Sequence, residues 1–437
     1  MRSIAIIADD LTGASDTGIQ FRKHGLTTKV VVDADKLELF LENNDVLAIN
    51  SNTRPLKNKN AYKKVYEISC TLKKAGFKSV YKKIDSTFRG NLGSELEAVM
   101  DAFDAGLTIL VPSYPDNGRC MVNGNLKISL PCDEEIKDNE EIDVRHDLCY
   151  VPSILQNEMT RKVALINLKT VNKGSESIYY DIEKFKKEGF QVIVIDAVTN
   201  EDLNKIAIAC KNLPQNTVFS GTAGFAAYLP KVIDLCLDNQ THQLKKDKVL
   251  LIVAGTYNHI TRMQIDKVLS NTNSALIKID TNKIINGKLF EEVQKTIKDA
   301  MELYNTQKEI SGSLIIAVDT LFESPDKMYL LTNKFSRDVA KAIGDIVKGL
   351  VDKDIVESLL ITGGDTALHV LSALNAEGID LQEEVLAGIP LGLLSGGKAH
   401  NVRIVTKAGG FGSPTAILEV MKHLETLRKK QKELSIM

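Results

Sequence analysis

Two adjacent aspartates, Asp9 and Asp10, follow the first apolar run of the chain, with Thr12 two residues further on. The third apolar run ends in Ser51, Asn52, Thr53 and Arg54, and the fourth leads into Lys82, Lys83, Asp85, Ser86, Thr87 and Arg89. A fifth ends in Pro112, Ser113 and Tyr114. A carboxylate can accept hydrogen bonds from polyol hydroxyls or take a proton from one. Arg54 and Lys83 could hold a substrate carboxylate, the arginine in bidentate fashion. Together the set describes a pocket for a small, hydroxylated, anionic molecule. Helix capping would account for one of the two aspartates, because Asp at a helix start satisfies free N–H groups and the dipole. Two adjacent carboxylates and two distant basic clusters exceed what capping needs.

The second half carries a different chemistry. Ala254-Gly255-Thr256, Gly363-Gly364-Asp365-Thr366 and Lys407-Ala408-Gly409-Gly410-Phe411-Gly412 each follow an apolar run, and Gly388 to Gly397 is also rich in Gly and Leu. Glycines at strand-to-helix turns let backbone N–H groups approach phosphate oxygens, and the following helix N-terminus adds favourable partial charge. One such turn is weak support; three in one domain point to the phosphates of a nucleotide, with Lys407 as a charge partner. Asp365 could hold Mg²⁺, serve as a base, or cap the helix after Gly363-Gly364. No GxxxxGK[ST], GxGxxG after a strand, GxSxG or HRD–DFG set occurs, which disfavours P-loop, dinucleotide, hydrolase-elbow and protein-kinase readings. What remains is phosphoryl transfer on another scaffold, acceptor and donor pockets facing across a cleft whose closure excludes water.

Composition limits the alternatives. The 437 residues are 43% hydrophobic and 26% charged, with 55 Lys plus Arg against 57 Asp plus Glu. That is an ordinary globular chain of two or three domains with a net charge of −2, offering no global field for nucleic acid or an anionic membrane. No run approaches the roughly 20 apolar residues of a membrane span, and the N-terminus reads as a buried strand, not a targeting segment. The six cysteines, Cys70, Cys120, Cys132, Cys149, Cys210 and Cys236, form no CxxC pair, which suits reduced thiols in a cytoplasmic protein. The seven histidines have no metal-like spacing, and the metal ligands stay unassigned.

Short Val/Ile/Leu-rich runs alternate with amphipathic segments, the signature of parallel sheets covered on both faces. Strands are expected at Ser3–Ala8, Lys29–Val32, Val46–Asn50, Val80–Lys83, Leu107–Val111, Val163–Asn167 and Val192–Ile195. Helices such as Lys59–Ala75 and Leu92–Ala105 lie between them. Pro112 to Pro152, with four prolines, reads as an irregular excursion. Strands restart at Val249–Val253, Ala275–Ile279, Ser313–Val318, Ser358–Thr362, Val385–Ile389 and Val402–Thr406. The expected fold is α/β with two domains, each a mainly parallel sheet flanked by helices, and a ligand cleft between them. The domains are 1–235 and 249–437, joined by a polar linker at 236–248. Exposed apolar helical faces could pair copies of the chain into a homo-oligomer, and LETLRKKQKEL near the C-terminus reads as a solvated helical end.

The chain resembles the four-carbon acid sugar kinase family. The matching stretches are ADDLTGASDTG at Ala8–Gly18, KIDSTFRGNLGSE at Lys83–Glu95, NGRCMVNGNL at Asn117–Leu126, AGTYNHITRMQ at Ala254–Gln264, GGDTA at Gly363–Ala367 and TKAGGFG at Thr406–Gly412. The resemblance implies an N-terminal acid-sugar domain and a C-terminal nucleotide domain. It also implies ATP-dependent phosphorylation of the terminal hydroxyl of a four-carbon sugar acid, with Mg²⁺ inferred from ATP chemistry. Carried over by position, the substrate contacts would be Asp10, Arg54, Lys83, Ile84, Asp85 and Ser86, with Asp85 or Asp10 orienting the polyol and accepting its proton. The nucleotide contacts would be Thr256, Gly363, Gly364, Asp365, Thr366 and Gly409; Thr256 keeps the hydroxyl where the family often has Ser. The continuation SDTGIQF resembles threonate and erythronate kinases more than 3-oxo-tetronate kinases, which favours D-threonate or D-erythronate as substrate. A 3-oxo-tetronate kinase and a non-catalytic sugar-acid-binding regulator are the alternatives.

Overall fold

The computed structural model describes residues 4–42, 44–128, 150–231, 249–306, 313–322 and 333–434. The chain divides into two compact units, Met1–Asn239 and Gln240–Met437. The expected linker at 236–248 lies outside the described residues.

The first unit holds β1 (Ile4–Ala8), β2 (Thr28–Val31), β3 (Val46–Asn50), β4 (Ser79–Lys83) and β5 (Thr108–Val111). After β6 (Arg119–Val122) and β7 (Asn125–Ile128) come β8 (Val163–Ile166), β9 (Val192–Ile195) and β10 (Val218–Gly221). Eight of these form one sheet in the order β2-β3-β1-β4-β10-β5-β9-β8, parallel throughout. Strands β1 and β3 read IAIIA and VLAIN with every residue buried, as required when helices cover both faces. Helix Asn58–Lys74 buries Ala61, Val65, Ile68 and Leu72, one stripe at helical spacing, and packs against helix Leu92–Phe103.

The order explains where ligands can gather. The chain leaves β1 for β2 and β3 on one side, then crosses to β4 on the other. The carboxyl ends of β1, β3 and β4 therefore surround a topological switch point, where crossover loops diverge and leave a crevice.

The second unit repeats this plan. Its strands are β11 (Val249–Ala254), β12 (Ala275–Ile279), β13 (Leu314–Val318), β14 (Val356–Thr362), β15 (Gly378–Leu386), β16 (Ile389–Ser395) and β17 (Arg403–Lys407). They run β12-β13-β11-β14-β17-β16-β15, the first five parallel, the last two antiparallel. Here the switch point lies between β11 and β14.

Three expectations need correction. The single strand at Val385–Ile389 is instead the turn of the β15–β16 hairpin. Gly388 has φ +72, and its amide donates to the Glu384 carboxylate at 2.9 Å. The Gly388 to Gly397 stretch is therefore no phosphate loop: β16 is buried along its whole length, and a Cβ at Gly392 would stand 2.5 Å from Ile379 Cγ2. That glycine serves strand packing. Within the Pro112 to Pro152 excursion, β6 and β7 form a regular hairpin. Residues 129–149 of that excursion lie outside the described residues. The hairpin turns through Asn123 and Gly124, φ +50 and +75, the Asn-Gly pair that a tight hairpin favours. The Asp196 carboxylate accepts both amides, at 2.6 and 2.9 Å. Strand β10 went unexpected because VFSG offers only two apolar residues, yet it sits between β4 and β5. The C-terminal charge run belongs to helix Ala416–Leu434.

One polar pair lies inside the first unit's core. Lys82 on β4 places Nζ 2.9 Å from Glu95 Oε2, with the two side chains 1% and 2% exposed. Burial pushes the Glu95 carboxyl up, against the pull of the Lys82 charge. A buried pair adds little net stability, but removal of one partner strands the other. Lys82→Met should cost about 3–5 kcal/mol in urea unfolding, and Lys82→Met/Glu95→Leu should recover part of that loss. A single-variant loss under about 1 kcal/mol would contradict the pairing.

Candidate functional site

The carboxyl ends of β1, β3 and β4 bring together residues that are far apart in sequence. Arg54, just past β3, donates from Nε and Nη2 to Asp9 Oδ2 and Oδ1 at 2.7 and 3.0 Å, a side-on fork. Its Nη1 donates to Asp10 Oδ2 at 2.7 Å, and its Nη2 lies 3.3 Å from Asp85 Oδ1. One guanidinium thus joins three carboxylates. The fork expected for a substrate carboxylate is engaged with Asp9; three of the five N–H donors are taken.

Asp10 does two jobs. Its Oδ1 accepts the Gly13 amide at 2.7 Å and caps helix Leu11–Arg22. Its half-buried carboxyl is pushed above the usual range, chiefly by burial and further by Asp9, with Arg54 and Lys83 pulling the other way. Asp85 differs. Burial pushes its carboxyl up, but the Arg89 hydrogen bond and the Arg54 and Arg89 charges outweigh this and hold it well below the carboxylate range. Arg89 reaches Asp85 with Nε at 2.9 Å and Nη2 at 3.1 Å, while Thr87 also donates to Asp85. Burial would lower Arg54, yet Asp10 and Asp9 hold it well above the ordinary arginine value.

The remaining expected residues divide. Lys83 is buried and donates to the Ile84 carbonyl at 2.8 Å, with its Nζ close to Gly13. The Ile84 side chain belongs to the hydrophobic core, leaving only its main chain for a ligand. Ser86 is half-buried beside Asp85.

Two cations deepen the reading. Arg89 has 66% side-chain exposure at this edge. Arg119, on the β6–β7 hairpin, feels the Asp85 charge. Sequence places Arg89 in the basic cluster without a role of its own and leaves Arg119 out, although both lie in the matched FRGN and NGRC stretches. Their signal was a basic residue inside a matched motif.

In the second unit the loops after β11, β14 and β17 also come together. A Cβ at Gly409 would stand 2.9 Å from Thr256 Oγ1, and one at Gly363 would stand 3.3 Å from Thr366 Oγ1. A Cβ at Gly255 would be only 2.2 Å from Thr366 Oγ1, so bare main chain is required there. Gly363 has φ +105 and is the N-cap of helix Gly364–Ala373. Asp365 is therefore not the cap; it lies in the first turn, exposed. Lys407 does not face outward as a charge partner but is buried, bonded to loop carbonyls.

Among the described residues, no group of three or more His, Cys, Asp or Glu could hold a metal ion. Nor is any helix of the described residues long and apolar enough to cross a membrane.

A model described as a sugar-binding N-terminal domain matches residues 4–229, and one described as a nucleotide-binding C-terminal domain matches residues 251–417. A D-threonate kinase of Salmonella typhimurium is 30% identical over 437 aligned residues, covering 97% of this chain and 98% of that protein. The chain belongs to the four-carbon acid sugar kinase family. A D-erythronate kinase of Heliobacterium modesticaldum is 28% identical, with 98% of each chain covered. A solved structure from Salmonella typhimurium LT2, described as a putative tRNA synthase, superposes with a TM-score of 0.77 at 20% identity. It covers 97% of this chain and 100% of that one. At that identity the likeness is one of fold alone. Family membership agrees with the chemistry read from the two sets of loops.

Asp85 supplies a stability test. Because folding lowers its pKa, its ionisation stabilises the protein above pH about 4. That contribution is lost as pH falls through the lowered folded value. Asp85→Asn should therefore unfold at lower urea than wild type at pH 7, and the gap should narrow steadily toward pH about 2. A gap independent of pH would mean that the Arg54 and Arg89 pairings do not hold Asp85 ionised.

Proposed function

We propose that the protein transfers the γ-phosphoryl group of ATP to the terminal hydroxyl of D-threonate, or of its epimer D-erythronate, giving the 4-phosphate. The observation that carries this reading is the full-length similarity to kinases of those two acids. A carboxylate-rich site at one set of strand ends and glycine loops at another support it. A non-catalytic regulator would have no need for the second set.

In this reading Asp10 accepts the proton of the attacking hydroxyl. Its raised pKa makes it the better base, whereas Asp85 is held ionised by Arg89 and Arg54 and is a weak one. Asp85 then orients the polyol together with Ser86 and the main chain at Ile84. Lys83 and the remaining donors of Arg54 take the substrate carboxylate, with Arg89 and Arg119 adding positive charge at the same edge. Thr256, Gly363, Gly364, Thr366 and Gly409 hold the phosphates. Mg²⁺ fits a site where the phosphates supply most ligands and Asp365, exposed at the loop, adds one carboxylate. The ion would neutralise charge on the transferring group.

The free thiols of Cys70, Cys120 and Cys210 suit a reducing, cytoplasmic setting. Selection between epimers would rest on one or two hydrogen-bonded hydroxyls, an arrangement able to give large ratios.

An ADP-release assay across D-threonate, D-erythronate and 3-oxo-tetronates checks the substrate. The highest kcat/KM is expected for one of the first two, and a clear preference for an oxo-acid would replace them. Asp10→Asn should lower kcat by about 10²–10⁴ while binding of an ATP analogue is unchanged. Near-normal kcat in that variant would remove Asp10 from the role of base.

A further inference from the structure

The loop after β17 turns a row of carbonyls inward. Lys407, the last residue of β17 and 2% exposed, donates from Nζ to the carbonyls of Ala408, Gly409 and Phe411 at 2.8, 3.1 and 3.1 Å. An ammonium has three protons, and here three acceptors meet them. Helix His259–Asn271 approaches the same loop from another direction. Its Thr261 Oγ1 donates to the Gly409 carbonyl at 2.8 Å. Its Gln264 Nε2 contacts the carbonyls of Phe411, Gly412 and Ser413 at 3.0, 3.3 and 2.8 Å. Five consecutive or near-consecutive carbonyls are thereby tied to side chains. Among the described residues, the amides of Gly409 and Gly410 have no acceptor within the protein.

This division has an electrostatic consequence. A carbonyl oxygen facing a triphosphate repels it, while an amide N–H attracts it. A glycine loop becomes an anion cradle only when its peptide planes are oriented, and glycine alone does not orient them.

We propose that Lys407 is a positioning residue of the phosphate loop: it pins three carbonyls inward and so presents the loop amides to the nucleotide, without itself touching the phosphates. The proposal rests on the reading of residues 408–412 as a phosphate site. It assigns a lysine of a kinase to main-chain geometry, a role different from the charge partner that its type suggests. Burial pushes its ammonium down to about 7, and the three carbonyls accept its protons there. All three protons are already spent on them, leaving none for a phosphate oxygen unless the loop opens.

The test compares wild type with Lys407→Met in the full chain, by hydrogen exchange over residues 404–414 without nucleotide and by steady-state kinetics. Loosening of the loop should speed exchange there by about tenfold or more. KM for ATP should rise by about tenfold or more, with KM for the sugar acid within about twofold. A residue acting by direct phosphate contact would leave nucleotide-free exchange unchanged, and that result overturns the proposal. Equal rises in both KM values with a lowered melting temperature would indicate a general structural role and also overturn it. Should Lys407→Met fail to fold, Lys407→Leu removes every donor at that position and carries the same readouts, and wild-type exchange in that variant overturns the proposal. A separate control isolates the underlying reading: if a non-hydrolysable ATP analogue gives wild-type residues 404–414 no protection, the loop is not the phosphate site, whatever Lys407 does.

Discussion

Asp9, Asp10 and Asp85 can share one edge of a sheet only because a single guanidinium stands among them. Three carboxylates gathered at one edge would otherwise repel one another. Arg54 holds Asp9 in a side-on fork, reaches Asp10 with a third donor and lies beside Asp85. That charge is shared unequally. Asp85, with Arg89 as a second partner, stays ionised, while Asp10 keeps a raised pKa despite Arg54 and Lys83.

The second unit's candidate phosphate loops carry little side-chain charge, and their shape is set by backbone packing and orientation. Gly363 at φ +105 and Gly255 hard against Thr366 make two of its loops. Buried donors on Lys407, Thr261 and Gln264 make the third. In both units the candidate site residues fall at the carboxyl ends of three adjacent parallel strands around a switch point.

Much of this was legible in the chain itself. Buried parallel strands announce themselves as unbroken Val/Ile/Leu runs, and β3, β9 and β12 fall where their apolar runs do. The polar residues past β1, β3 and β4 stood out because they interrupt such runs. Three features were obscured for physical reasons. VFSG is too short for periodicity to register, though it fills a gap between two long-range neighbours. Leu386 and Ile389 look continuous in apolarity, but Gly388 between them takes a positive φ that only three dimensions reveal. The Asn123-Gly124 pair was a readable hairpin signal, lost in a proline-rich stretch. In the site itself residue type tells only part: Arg54 and Lys407 are cations that sequence assigns to ligands, and much of their bonding capacity goes to partners within the chain. Side-chain type gives charge; only the fold says who receives it.

The strand order also bears on when each unit becomes competent. Asp9 and Arg54 are 45 positions apart, and Thr261 and Gly409 are 148 apart. Neither set of loops is complete until crossovers on both sides of the switch point have docked, and non-local pairings of that kind form late. A nascent chain therefore has no partial version of either site to offer. Ligand affinity appears together with the finished sheet, so each ligand stabilises the completed unit over any earlier intermediate and acts as a thermodynamic latch on the last step of folding.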